Sequence, residues 1–233
     1  MKKTKVLVTG IGGGGHGEQI LKALKLAKIP LEIIGADVSL LSRGLTEVNT
    51  SFILPPASDP AYIDVLIEKC IHFQVEVLFH GSEPELLKMS KNRNRFAELG
   101  IFLPINNSNV ISICLDKIKT IDFLKENGFK YPKTYQINSL EDCNLIEVFP
   151  LVLKPYLGGG GSANTYIVQS IEELRFFCSQ MLKQNIKFIA QEYVGTPDEE
   201  YTVGVLSDLD GNLINSIAVQ RMIKGSLGCR IKI

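Results

Sequence analysis

Lys5-Val-Leu-Val-Thr-Gly-Ile-Gly-Gly-Gly-Gly-His-Gly17 is the stretch on which the fold turns. A short apolar run that breaks into glycine reads as a strand buried on both faces, followed by a tight turn. Ile20, Leu21, Leu24 and Ala27 then recur at helical spacing with lysines between them, up to Pro30. The alternation continues outward. Leu31–Ala36 is a second apolar strand ending at Asp37, and Phe52-Ile-Leu54 before two prolines is a third. Asp59-Pro60 offers an N-cap and an N1 proline to a helix running to about His72. Val75–Phe79 is a fourth strand. Pro84 opens a helix predicted to run unbroken to about Leu99, where Gly100 stops it. Strand and helix alternating through residues 1–105 predict a doubly wound parallel sheet.

The chain has 233 residues, 45% hydrophobic and 21% charged, enough apolar material for one large domain or two modest ones. Its 25 basic and 25 acidic residues cancel, so charge gives no reason to expect nucleic acid or an anionic membrane as partner. No apolar run approaches the roughly 18 residues of a membrane span. Lys2, Lys3 and Lys5 lead into glycine and not into the apolar stretch of a signal peptide. Five scattered cysteines (70, 114, 143, 178 and 229) include no CxxC pair, and the three histidines form no HExxH. A reduced, cytoplasmic setting is expected, with neither a disulfide framework nor a thiolate- or histidine-built metal site.

The pattern changes near residue 110. Asp116–Asn127 is a helix carrying Ile118, Ile121 and Leu124. Val148–Lys154 and Phe188–Glu192 are strands, and Ser170-Ile-Glu-Glu173 is a capping box for a helix to about Leu182. Tyr201–Ser207 and Leu213–Val219 flank the turn dipeptide Asp210-Gly211, which predicts an antiparallel hairpin. The second half is therefore α+β.

Two glycine-rich segments are candidates for chemistry. In the first, Gly10, Gly12 and Gly15 fit GxGxxG between a strand and a helix, and Asp37 stands where a dinucleotide enzyme places its ribose acid. A nicotinamide-dependent oxidoreductase is one reading, and a parallel sheet that binds no dinucleotide is the other. No GxxxxGKS/T occurs, which argues against a P-loop NTPase. His80 and Glu83, at the carboxyl end of the fourth strand, and His16 in the glycine loop are substrate-side candidates. In the second segment, the apolar strand Phe149–Pro155 carries Lys154 near its end, and Gly158-Gly-Gly-Gly-Ser162 follows. A lysine on a buried strand calls for an anion, and a run of N–H donors beside it can fold over phosphates. The alternative is a snorkelling lysine next to an ordinary hairpin loop.

Cys114-Leu-Asp-Lys117 leads to Gly128-Phe-Lys-Tyr-Pro-Lys-Thr134. Pro150–Pro155 is followed by Gly158–Ser162, then Gln191-Glu-Tyr-Val-Gly195 with Glu200-Tyr-Thr-Val203, then Asp208-Leu-Asp-Gly211. In this order the segments resemble the ATP-grasp ligase superfamily, and within it the branch of the carbamoyl-phosphate synthase large subunit. The resemblance implies an α/β fold: a Rossmann-like parallel-sheet pre-ATP-grasp domain (residues 1–112), then α+β ATP-grasp subdomains (113–187 and 188–233), the last one truncated. It implies that Lys117 and Lys154 contact nucleotide phosphates and that Gly158, Gly159, Gly160, Gly161 and Ser162 close over them. Glu192 would face the adenine amino group, Tyr193 and Val194 would hold the base, and Glu200 would accept the ribose hydroxyls. Arg221 resembles a substrate contact.

The implied activity is ATP-dependent ligation with Mg²⁺. A small carboxylate, bicarbonate in the carbamoyl-phosphate branch, becomes an acyl phosphate and is attacked by an amine. The implied partners are those small molecules, not nucleic acid or membrane, with a homo-oligomer or a complementary chain as the assembly. The family's metal ligands lie on strands after the hairpin, whereas this sequence ends at Arg230-Ile-Lys-Ile233. No metal ligand is therefore expected within the chain, and Asp208 and Asp210 read as turn residues. Truncation is the expected cause; a split protein and a non-catalytic nucleotide-binding module are the alternatives.

Overall fold

The computed structural model describes residues 2–157, 164–196, 199–224 and 228–232, from 221 onward as backbone only. Two compact units share the chain. One holds Met1–Phe129 and the return segment from Tyr156; the other holds Lys130–Pro155 and the chain from Asn164.

The first unit opens with β1 (Thr4–Val8), α1 (His16–Lys25), β2 (Leu31–Asp37), β3 (Thr50–Ile53), α2 (Tyr62–Phe73) and β4 (Val77–Phe79). The strands form a parallel sheet in the order β3-β2-β1-β4. Both faces are covered. Leu7, Ile34 and Leu78 pack with Tyr62, Leu66, Met89 and Phe96 on one side, while Val6, Val8 and Ile11 pack with Leu21 on the other. This is the doubly wound sheet that the apolar runs predict.

Two local expectations are corrected. The second helix starts at Tyr62, not at Pro60. The Asp59 carboxylate accepts the Ala61 N–H (2.8 Å) and so closes a turn before the helix. The helix expected to run from Pro84 to Leu99 is two, α3 (Glu83–Lys91) and α4 (Arg93–Glu98), broken at Asn92. There the Asn92 side chain donates to the Lys88 carbonyl (2.9 Å), competing with the helical ladder. The segment after residue 106 forms α5 (Ser108–Leu115), capped by the Asn107 carboxamide on the Val110 N–H (2.9 Å). Then α6 (Lys117–Glu126) begins under an Asp116 cap, which accepts from Ile118 and Lys119 N–H.

The second unit is antiparallel. β5 (Thr134–Ile137), β6 (Leu151–Pro155), β7 (Tyr166–Val168), α7 (Ile171–Lys183) and β8 (Phe188–Glu192) build a sheet in the order β5-β8-β6-β7 with one helix. Leu151, Leu153, Val168, Phe188 and Ala190 bury against Leu174, Cys178 and Met181 of α7. The Ser170 half of the capping box forms, with Ser170 accepting the Glu173 N–H, while the Glu173 carboxylate accepts the N–H of Gln169, one residue before the cap. A separate three-stranded sheet contains β9 (Glu200–Ser207), β10 (Leu213–Lys224) and β11 (Gly228–Lys232), ordered β11-β10-β9. In the β9–β10 turn, Asp208 accepts the Asp210 and Asn212 N–H groups and the Asn212 side-chain amide. The side-chain amide of Asn212 is the main cause of its lowered pKa. No helix among the described residues is long and apolar enough to cross a membrane.

The first unit depends on one close crossing of main chains. A Cβ at Gly81 would lie 2.1 Å from the Thr9 carbonyl oxygen and 2.7 Å from Gly10 Cα, whereas one at Gly15 would meet only the Gly81 oxygen, at 3.8 Å. Gly81→Ala is expected to destabilise this unit by about 1–3 kcal/mol through overpacking. Gly15→Ser is expected to change stability by less than about 0.5 kcal/mol. Urea unfolding followed by circular dichroism checks both, and equal losses would reject the steric account.

Candidate functional site

Among the described residues, those that line a cleft of about 520 Å³ all belong to the second unit. Its floor is the face of the β5-β8-β6-β7 sheet turned away from α7. Successive side chains of a strand point to opposite faces, so with Leu151 and Leu153 in the core, Val152 and Lys154 face the cleft. Strand register sets Thr134, Gln191, Val152 and Ile167 in one row across the four strands. The segment leaving β8 and the start of β9 form the rim, with Tyr193, Val194 and Tyr201 as apolar walls and Glu192, Glu199 and Glu200 as carboxylates.

The polar groups are connected. Lys154 Nζ donates to Gln191 Oε1 (2.7 Å), Gln191 Nε2 donates to Thr134 Oγ1 (2.8 Å), and the Thr134 hydroxyl donates to the Pro132 carbonyl (2.9 Å). Glu192 is tied twice to Lys133, the residue before β5: its N–H donates to the Lys133 carbonyl (2.8 Å) and its carboxylate accepts the Lys133 N–H (3.1 Å). The Tyr193 N–H donates to the Pro150 carbonyl (3.2 Å). The Lys133 ammonium lies 5.2 Å from the centre of the Tyr135 ring, and the Tyr135 hydroxyl raises its pKa. A slot with apolar walls, a cation on its floor and carboxylates at its rim suits a flat base attached to a hydroxylated, anionic group.

Lys154, Glu192, Tyr193, Val194 and Glu200 all line this one cleft. Lys117 belongs to the first unit, where it opens α6 and donates its backbone N–H to the Tyr156 carbonyl (2.9 Å). Gly158, Gly159, Gly160, Gly161 and Ser162 lie outside the described residues. The Arg221 backbone pairs with Glu200 in the β9–β10 ladder, and its side chain is likewise outside them. Sequence reasoning missed Gln191 and Thr134. The available signal was the period of two: with Phe188 and Ala190 inward, Gln191 shares its face with Lys154. Among the described residues, no group of three or more His, Cys, Asp or Glu side chains is arranged to hold a metal ion.

The glycine loop of the first unit lines a second cleft, of about 420 Å³, at the carboxyl ends of the parallel strands. Its carboxylates are engaged by the protein. Asp37 accepts the Gly12 N–H (2.9 Å) and the Ser39 N–H (3.0 Å), so the group that a dinucleotide reading assigns to ribose fastens the glycine loop instead. Buried Glu85 accepts the Tyr62 hydroxyl (2.8 Å), the Ser82 hydroxyl (2.8 Å) and the Gly81 N–H (3.2 Å). Burial, reinforced by the Glu85 charge, pushes the Tyr62 phenol far up. Ser82, Pro84 and Glu85 line this cleft; His16, His80 and Glu83 do not. His80 is half-buried, and its shielded Nδ1 has no hydrogen-bond partner.

The family comparisons follow the two halves of the sequence. A family model described as an ATP-grasp domain matches residues 114–231, and one described as a PylC-like N-terminal domain matches residues 6–104. The chain belongs to the ATP-grasp family. D-alanine–D-alanine ligase A of Bacillus cereus is 28% identical over 124 residues, which are 51% of this chain and 39% of that ligase. A crystal structure of N5-carboxyaminoimidazole ribonucleotide synthetase with ADP has a TM-score of 0.73 at 16% identity, covering 97% of this chain and 56% of that one. The biotin carboxylase domain of Hydrogenobacter thermophilus 2-oxoglutarate carboxylase, solved with MgADP, ADP and bicarbonate, has a TM-score of 0.67 at 17% identity, covering 97% and 52%. These two structures show the shared fold. The chain spans little more than half of their length, and less than half of the ligase.

His80 links stability to pH. Burial lowers its pKa from 6.5, against a smaller upward pull from Glu85, so the folded protein binds this proton less readily than the unfolded chain does. Its contribution to stability is therefore present above about pH 6.5 and is lost as the pH falls, because the unfolded imidazole charges first. Urea midpoints at about pH 7.5 and about pH 5.5 are expected to differ less in His80→Gln than in the wild-type chain. An unchanged difference would show that His80 does not set this dependence.

Proposed function

We propose that the second-unit cleft holds the nucleotide of an ATP-dependent carboxylate–amine ligase. The supporting observation is that Lys154, Glu192, Tyr193, Val194 and Glu200 meet in one cleft of about 520 Å³ in a chain of the ATP-grasp family. In this reading Tyr193 and Val194 flank the base, Glu192 faces its amino group, and Glu200 takes the ribose hydroxyls. Lys154 meets the phosphates from the floor. Lys117, Gly158–Ser162 and Arg221 keep their phosphate-side and substrate-side roles on motif alone. Residues 1–112 form the pre-ATP-grasp domain, and 113–187 and 188–233 are the parts that enclose the nucleotide.

A carboxylate oxygen attacks the γ-phosphorus of ATP and the bond to the ADP oxygen breaks, giving an acyl phosphate and ADP. An amine then attacks the acyl carbon, phosphate leaves and the amine loses a proton, giving an amide. Lysine ammonium groups stabilise the charge on the transferring phosphoryl group. The sequence likeness to a D-alanine–D-alanine ligase supports an amino acid or similar small acid as the carboxylate. A carbamoyl-phosphate synthase-like variant using bicarbonate is the second reading, favoured by the bicarbonate in the biotin carboxylase neighbour. Mg²⁺, a cytoplasmic setting and a homo-oligomer or complementary chain complete the proposal. A non-catalytic nucleotide-binding module is distinguished by the absence of ADP release with any acid and amine.

Lys154→Ala tests the site. ATP affinity, measured by calorimetry, is expected to fall about 10- to 100-fold, the range of a lost charge-assisted hydrogen bond. The unfolding midpoint should move little, because Lys154 is not part of the core. Unchanged ATP binding would reject the assignment.

A further inference from the structure

Gln191 is the polar residue of the cleft floor to which the nucleotide reading gives no role. It is 9% exposed and stands between two side chains. Its Oε1 accepts the Lys154 ammonium at 2.7 Å, and its Nε2 donates to Thr134 Oγ1 at 2.8 Å. The direction of this chain follows from its far end. A threonine hydroxyl has one proton, and Thr134 gives it to the Pro132 carbonyl at 2.9 Å. Thr134 Oγ1 can then only accept, so the Gln191 amide must present its NH₂ to Thr134 and its oxygen to Lys154. Register holds the parts in place: Thr134 lies opposite Gln191, Gln191 lies opposite Val152, and Lys154 is two residues along from Val152 on the same face. A main-chain carbonyl thus sets the orientation of the ammonium through two side chains.

The geometry points to Gln191 and Thr134 as positioning residues that aim Lys154 at the phosphates of the nucleotide. This rests on the reading of Lys154 as a phosphate contact. The amide is suited to the task because it is neutral. It orders a long, flexible side chain, so less rotamer entropy is lost when the ligand binds. A carboxylate at the same place would make the same hydrogen bond and oppose the cation's attraction for phosphate. An apolar side chain would remove the orientation and leave the charge. Both changes should therefore weaken binding of a triphosphate, for different reasons, and neither should affect binding of the nucleoside alone.

The test is calorimetric titration of the whole chain with ATP and, separately, with adenosine. The variants are Lys154→Ala, Gln191→Leu, Gln191→Glu, Thr134→Val and the double variant Lys154→Ala/Gln191→Leu. Gln191→Leu and Gln191→Glu are each expected to weaken ATP binding by about 5- to 30-fold, with Thr134→Val acting in the same direction and less strongly. Adenosine affinity should stay within about twofold. In the Lys154→Ala background, Gln191→Leu should cost less than about twofold more, because the two residues act on one contact. Unchanged ATP binding in Lys154→Ala would reject the phosphate reading and the relay with it. If Lys154→Ala does weaken ATP binding, any of three results overturns the relay alone: wild-type ATP affinity in Gln191→Leu and Gln191→Glu, a parallel loss for adenosine, or an undiminished Gln191→Leu effect without Lys154. Gln191→Glu and Thr134→Val are nearly isosteric and carry the test if Gln191→Leu does not fold.

Discussion

A strand packed on one side must send alternate residues to the other side, and this constraint organises the second unit. In β6, Leu151 and Leu153 are 1% and 0% exposed because they pack into the core shared with α7. The pleat then has no place for Val152 and Lys154 except the opposite face. Shifting the register by one residue would bury the lysine and expose two leucines, so the hydrophobic effect fixes the register. The same holds in β8, where Phe188 and Ala190 are buried on the α7 side and Gln191 is carried to the cleft. The cleft floor is thus a consequence of how the core is packed, and its polar groups inherit their positions from leucine and phenylalanine side chains on the far side of the sheet.

Features that act over a few residues could be read in the sequence. The Asp210-Gly211 turn, the Ser170 capping box, the Asp116 helix start and the apolar strands of the parallel sheet all depend on neighbours within about four positions. Where reading failed, a side chain had two local options. Asp59 could cap a helix or close a turn, and it closes a turn. Asn92 lies in a helix-compatible run, yet its side chain takes the Lys88 carbonyl and divides the helix. No reading was made of the stretch before Asp116, where Asn107 caps α5. Motif order grouped Lys154, Glu192, Tyr193, Val194 and Glu200, and all five line one cleft. Gln191 and Thr134 were not, because their meaning lies in cross-strand pairing between residues 57 positions apart.

The first unit shows how a glycine pattern and a ligand site can part company. Its turn is tight because the Thr9 carbonyl excludes a side chain at Gly17 and at Gly81. That alone explains glycine at those two positions, whatever the loop binds. Asp37 then fastens Gly12 and the start of the next loop, a structural use of the carboxylate that the GxGxxG pattern would assign to ribose. A motif defined by backbone geometry reports the backbone geometry first, and the chemistry has to be established from where the neighbouring charges are directed.

The two clefts differ in that respect. Asp37 and Glu85 are surrounded by N–H and O–H donors of their own unit, and each closes a loop of the fold. A carboxylate satisfied in this way offers little to a ligand, because binding would have to replace good hydrogen bonds with others of similar strength. On the floor of the second cleft, Gln191 meets Lys154 with a neutral oxygen. A neutral partner orders the ammonium and adds no opposing charge, so the attraction toward an incoming anion is not weakened by the group that positions it. Gln191 orders a charge that faces its cleft, whereas the donors around Asp37 and Glu85 fasten carboxylates into loops of the fold.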